Sequence, residues 1–122
     1  MSFLKGINQK PALPKLVRDN IPRLIKESGK EYIVTVVSDP MIMVGWLAEK
    51  VKEELKEYRE ANKKQKLEEA ADMYEACLAL WSTSGLGIAE IAAKAEEKAK
   101  EKGKFSDGII LWDIIDRKLK KV

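Results

Sequence analysis

Two stretches, KEELKEY (52–58) and EEAADMYEA (68–76), place carboxylates where a helical period asks for core residues. At about 100° per residue, Leu47, Val51, Leu55 and Tyr58 form one apolar stripe. Glu54 falls in the middle of that stripe, Glu57 at its edge, and Glu53 nearer the solvent side. On the following segment Leu67, Ala71, Tyr74, Leu78 and Trp81 form one stripe. Met73, Ala76 and Leu80 form another on nearly the opposite side, and Glu69 and Asp72 belong to this second stripe. A helix apolar on two sides is central to its bundle or meets another subunit.

These positions predict two helices folded back on each other. With the hairpin turning between Asn62 and Lys63, Glu57 lies five residues before Asn62 and Glu69 six after Lys63. Glu54 and Asp72 lie eight before and nine after. At a rise of about 1.5 Å per residue, each acid meets its counterpart within about a residue of the same level. Four carboxylates then face one another in two tiers. Crowding such anions in a partly dry place is unfavourable without counter-charge. Lysines from elsewhere resolve it, or a divalent cation does. Oxygen-only ligands favour Mg²⁺, Mn²⁺ or Ca²⁺ over zinc, and Mg²⁺ keeps positions open for phosphate oxygens. One E-x-x-E carries little in a chain so rich in Glu and Lys, and Lys50–Glu54 reads as an ordinary i,i+4 surface pair. Two acid pairs level with each other on consecutive helices point to a metal.

The rest of the composition narrows the chemistry. No histidine is present, which excludes imidazole-based triads, His-ligated zinc and Glu-x-x-His di-iron sites. A single cysteine, Cys77, excludes a disulfide framework and reads as a buried small hydrophobe. A net charge of +3 without a basic tract gives no case for nucleic acid. No apolar run approaches the ~20 residues of a membrane span, and the start of the chain lacks a secretory signal. The expectation is a cytoplasmic protein with neither nucleic-acid nor membrane partners.

The 122 residues are expected to form a single domain, with 1–15 as an irregular lead-in. A short helix is predicted over about 20–28, capped by Asn20 and stopped by Gly29. EYIVTVV (31–37) reads as a strand. Asp39 and Pro40 start a second helix that runs to about Ala61, and Asn62 in the left-handed region ends it. A third helix covers about Lys64 to Ser82. After the STSGLG break comes a fourth over about 88–102. IILW (109–112) reads as a second strand, and the tail from Asp113 as a short helix or frayed end. The predicted fold is mainly α: an antiparallel helical bundle of about four main helices with a minor two-strand β element.

The pattern Glu53-Glu54-x-x-Glu57 followed by Glu69-x-x-Asp72 resembles the paired acidic signature of the all-α nucleoside triphosphate pyrophosphatase superfamily. That group includes MazG-like enzymes, dimeric dUTPases and phosphoribosyl-ATP pyrophosphohydrolases. The segments KLVRDNIPRLIKESGK (15–30) and EKGKFSDGI (101–109) look like a compact MazG-related subgroup. The likeness touches most of the chain, but only the acid pairs are specific. It implies a helical bundle, usually a homo-oligomer (dimer or tetramer), and Mg²⁺-dependent (or Mn²⁺-dependent) cleavage of a nucleoside triphosphate to monophosphate and pyrophosphate. It further implies that Glu54, Glu57, Glu69 and Asp72 hold the metal. Glu54 or Glu57 would also orient or deprotonate the attacking water. Lys98 and Lys102 map onto the family's late basic residues as phosphate contacts, and Lys15 and Arg18 approach the nucleotide if the subgroup likeness holds. The 11 residues between Glu57 and Glu69 are at the short end for the group and leave less helix to shape a base pocket.

Two other readings stand beside this one. The chain could be a helical interaction module whose acids merely face lysines, or its substrate could be phosphoribosyl-ATP. Lys94, Lys98 and Lys102 repeat every four residues, which equally describes a solvated face paired with Glu90, Glu97 and Glu101. Trp46, Trp81 and Trp112 could stack a base, although Trp81 lies on an apolar stripe and reads as core.

Overall fold

The computed structural model of the protein describes residues 13–116. Four α-helices form there: α1 (Ile21–Glu27), α2 (Pro40–Glu60), α3 (Lys66–Thr83) and α4 (Ile88–Lys102). No strand occurs among the described residues. The mainly helical expectation holds, and α4 has the span that the break before it predicts. The two-strand element does not form. Residues 31–37 and 109–112 have no regular structure, and Ile33 is fully exposed at 100%. The reason is physical: β-branched residues favour a pleated surface only when a neighbouring strand and an apolar face receive them.

Local chemistry sets the helix ends. Asp39 is extended, and its carboxylate accepts from the Met41 N–H at 2.9 Å, while Pro40 takes the first helical position where no donor is needed. Asn20 precedes α1, but its side chain makes no cap hydrogen bond. Gly29, at φ 90°, ends α1 with N–H groups of Gly29 and Lys30 returning to Lys26 and Ile25 carbonyls. The turn between α2 and α3 differs from expectation. No non-glycine residue has positive φ among the described residues, so Asn62 is not left-handed. Ala61 instead extends to ψ 144°, and Asn62 and Gln65 exchange side-chain-to-backbone hydrogen bonds of 3.0 and 3.4 Å. This reciprocal cap delays α3 to Lys66.

The chain divides into two compact units, the first running through Ile88 and the second beginning at Ala89. In the first, α2 packs on α3 as a hairpin. Leu47 and Glu54 are the buried residues of α2, and Glu69 and Ala76 those of α3. Of the two stripes on α3, the one carrying the acids therefore turns inward. The other leaves Leu67 82% and Tyr74 58% exposed. On α2 the inward direction is Leu47 and Glu54, while Leu55 and Tyr58 face out. Burying Leu47 contributes about 1.5–3 kcal/mol, so the small apolar core leaves much of the inner face to charged groups. The second unit holds the exposed helix α4 and the irregular segment after it. No single described helix is long and apolar enough to cross a membrane.

Candidate metal centre

Helical spacing delivers the acids to one place. Glu54 and Glu57 lie one turn apart on α2, and Glu69 and Asp72 one turn apart on α3. Carboxylate oxygens of Glu54, Glu69 and Asp72 all lie within 4.8 Å of one another. A second group, Glu53, Glu54 and Glu57, meets the same limit, and Glu54 belongs to both. Glu54 and Glu69 are only 3% and 8% exposed, and Asp72 and Glu57 are half-buried.

Cations close around this cluster. Lys50 Nζ lies 3.2 Å from Oε2 of both Glu53 and Glu54. Lys15 Nζ reaches Glu53 Oε2 at 3.2 Å from the segment ahead of α1. Arg18 Nη2 donates to Asp72 Oδ1 at 2.8 Å. The segment 15–18 is thereby fastened to α2 through Lys15 and to α3 through Arg18. Burial pushes the Glu53 carboxyl up, but the charges and hydrogen bonds of Lys50 and Lys15 outweigh it and hold the group below its ordinary value.

The donor set fits a hard cation. Trans oxygens on an octahedral ion with bonds of about 2.1 Å are about 4.2 Å apart, which falls inside the 4.8 Å limit that each group meets. Carboxylate oxygens from facing helices suit Mg²⁺, Mn²⁺ or Ca²⁺, and Cys77, half-buried on α3, belongs to neither group.

Of the residues the sequence singles out, the structure brings Glu54, Glu69 and Asp72 into one group and Glu57 into the other, with Lys15 on Glu53 and Arg18 on Asp72. Lys98 and Lys102 are exposed on α4, in the second unit. Trp112 is exposed, and Trp81 is half-buried on α3. Two participants escaped the sequence reading. Lys50 is nearly buried against Glu54 and is no surface pair, and Glu53, taken as solvent-side, is held by two lysines. The signal for Lys50 was present: it stands between Leu47 and Glu54 at spacings of three and four on the inward stripe.

Beside the cluster lies a groove of about 710 Å³, walled by segment 15–21, α1, α2 and α3. Fold and site together define a helical protein with a buried carboxylate cluster at a hairpin of two helices. No known protein family, curated protein or solved structure matches the chain.

Proposed function

We propose that the protein is a nucleotide pyrophosphohydrolase, active with Mg²⁺ or Mn²⁺, that cleaves a canonical or noncanonical nucleoside triphosphate to monophosphate and pyrophosphate. The observation that carries this reading is the convergence of Glu54, Glu69 and Asp72 carboxylates within 4.8 Å at a buried position, with cationic side chains beside them. The resemblance of the two acid pairs to the all-α pyrophosphatase signature supplies the reaction.

In this reading Glu54, Glu57, Glu69 and Asp72 hold the metal. A hard divalent ion held there would supply charge neutralisation to the phosphates and lower the pKa of a water. Glu54 or Glu57 orients the attacking water and accepts its proton. Lys15 and Arg18 bind phosphate oxygens from the segment ahead of α1. Phosphoryl transfer asks mainly for positioning and charge stabilisation, which carboxylates, lysines and an arginine provide without histidine. The partner of the chain is a second copy of itself, with the outward stripe of α3 as the surface it would cover.

A second reading has its own support. Lys15, Lys50 and Arg18 already face the acids, as expected of an interaction module whose carboxylates are matched by protein cations. The deciding experiment is a screen of nucleoside triphosphates with Mg²⁺ or Mn²⁺, scored for pyrophosphate against phosphate release, beside thermal melting with metal and with chelator. Pyrophosphate release that disappears in Glu69→Gln supports the enzyme. Absence of both turnover and metal stabilisation leaves the interaction module.

A further inference from the structure

The groove beside the acidic cluster changes character along its length. Met43, Leu47, Lys50 and Glu54 follow one another on the inward side of α2 and all line it. From Met43 to Glu54 is about 16 Å of helix at about 1.5 Å per residue. The Glu54 end carries Asp72 and the cations Lys15, Arg18 and Lys50. Ile21, Leu24, Met43, Leu47, Ala76 and Ala79 belong to the groove's apolar lining, and Leu47 and Met43 lie progressively farther along α2 from Glu54. Two alanines at a spacing of three keep the α3 wall low there, where larger side chains would fill the space.

We infer that this apolar end receives the nucleobase and sugar of the substrate, with the triphosphate lying toward Glu54, Asp72 and Lys50. The inference rests on the pyrophosphohydrolase reading and adds where the nucleoside goes and what selects it. The charged and apolar halves are continuous, and their order matches a ligand with an anionic tail and a planar head. The volume lies within the roughly 300–1,000 Å³ of small-molecule sites. Shape selects through the aliphatic side chains of this lining, while Glu75, one turn from Ala79 on α3, and Asp19 also line the groove and offer acceptors to a base edge. Asn20 adds one amide, since its side chain does not cap α1. A base that exceeds the width between Met43 and Ala79 is excluded by shape.

The test is Ala79→Leu, which fills the apolar end and leaves every acid and cation in place. Binding and cleavage are measured for a nucleoside triphosphate and for inorganic tripolyphosphate in the presence of Mn²⁺. The expected result is a rise of about tenfold or more in KM for the nucleotide, with tripolyphosphate binding and the Mn²⁺-induced melting shift unchanged. A second variant, Met43→Ala, covers the case in which Ala79→Leu does not fold. It should raise turnover of a triphosphate with a bulky ring substituent relative to its unsubstituted parent by about fivefold or more. Wild-type turnover with nucleotide KM unmoved in Ala79→Leu, or with no change of preference in Met43→Ala, overturns the placement and leaves the enzyme reading intact. A wild-type protein that binds Mn²⁺ but neither binds nor cleaves any nucleotide overturns both.

Discussion

Arg18 Nη2 and Asp72 Oδ1 meet at 2.8 Å, joining two points 54 positions apart in the chain. The guanidinium is largely exposed and the carboxylate largely covered. A metal held by Asp72 would draw on the same carboxylate as Arg18, so the two would compete. Arg18→Ala should cost no more than about 1 kcal/mol of stability, because an exposed partner is screened by water. The same variant should bind Mn²⁺ more tightly and hold nucleotide less well, since a phosphate contact is lost. Calorimetric titration with Mn²⁺ and a KM measurement check both halves; weaker Mn²⁺ binding in Arg18→Ala would show that the arginine supports the cluster.

Lys50 is the opposite case. Both it and Glu54 are nearly buried, and their separation is 3.2 Å. Removing one member of a covered ion pair costs on the order of 3 kcal/mol, because the other is left charged in a dry place. Lys50→Met should therefore melt at a clearly lower temperature in chelator. Saturating Mn²⁺, at about 100 times its dissociation constant, should restore about 2.7 kcal/mol. A variant that loses stability and recovers nothing with Mn²⁺ would mean that the carboxylates beside Lys50 are not a metal site.

The residues that make the hairpin were readable because their chemistry is local. Asp39-Pro40 starts α2, the Ser-Gly break separates α3 from α4, and the acid pairs follow the helical period on both helices. Residues 31–37 misled for the converse reason: their β-branched content is local, but a strand needs a partner that composition does not specify. Lys50 shows the same limit at the site. Its burial depends in part on the segment carrying Lys15, which reaches Glu53 across 38 positions and shares that carboxylate with it. Spacing along one helix reports which residues share a face, not which distant segment will cover them.

Glu53 predicts a pH dependence. Its native carboxyl is held below the ordinary value, so the group stabilises the fold fully above the unfolded value, about 4.3, and loses that contribution as pH falls through the native one. In chelator, Glu53→Gln should melt below wild type at pH 7, and the two should converge as the pH falls through the lowered native value. A difference that stays constant from pH 7 to pH 3 would assign the effect of Glu53 to packing and not to its charge pairs with Lys15 and Lys50.

The outward stripe of α3 carries the expectation of self-association. Leu67, Ala71 and Tyr74 are exposed at spacings of four and three, so they lie together on one side of the helix. A second copy seated on this face would bury the large apolar side chains of Leu67 and Tyr74. Tyr74→Glu places a charge on that face, two residues from Asp72 and Ala76 and five from Glu69, and so on the other side of the helix from the inward stripe. Desolvating an unpaired carboxylate at an interface is costly, so the variant should sediment as a monomer at concentrations where the wild-type protein is a dimer or larger. Its melting in chelator at low concentration should stay near that of wild type, because the residue is exposed in the single chain. Equal sedimentation of the two proteins would remove this face of α3 from any contact between copies.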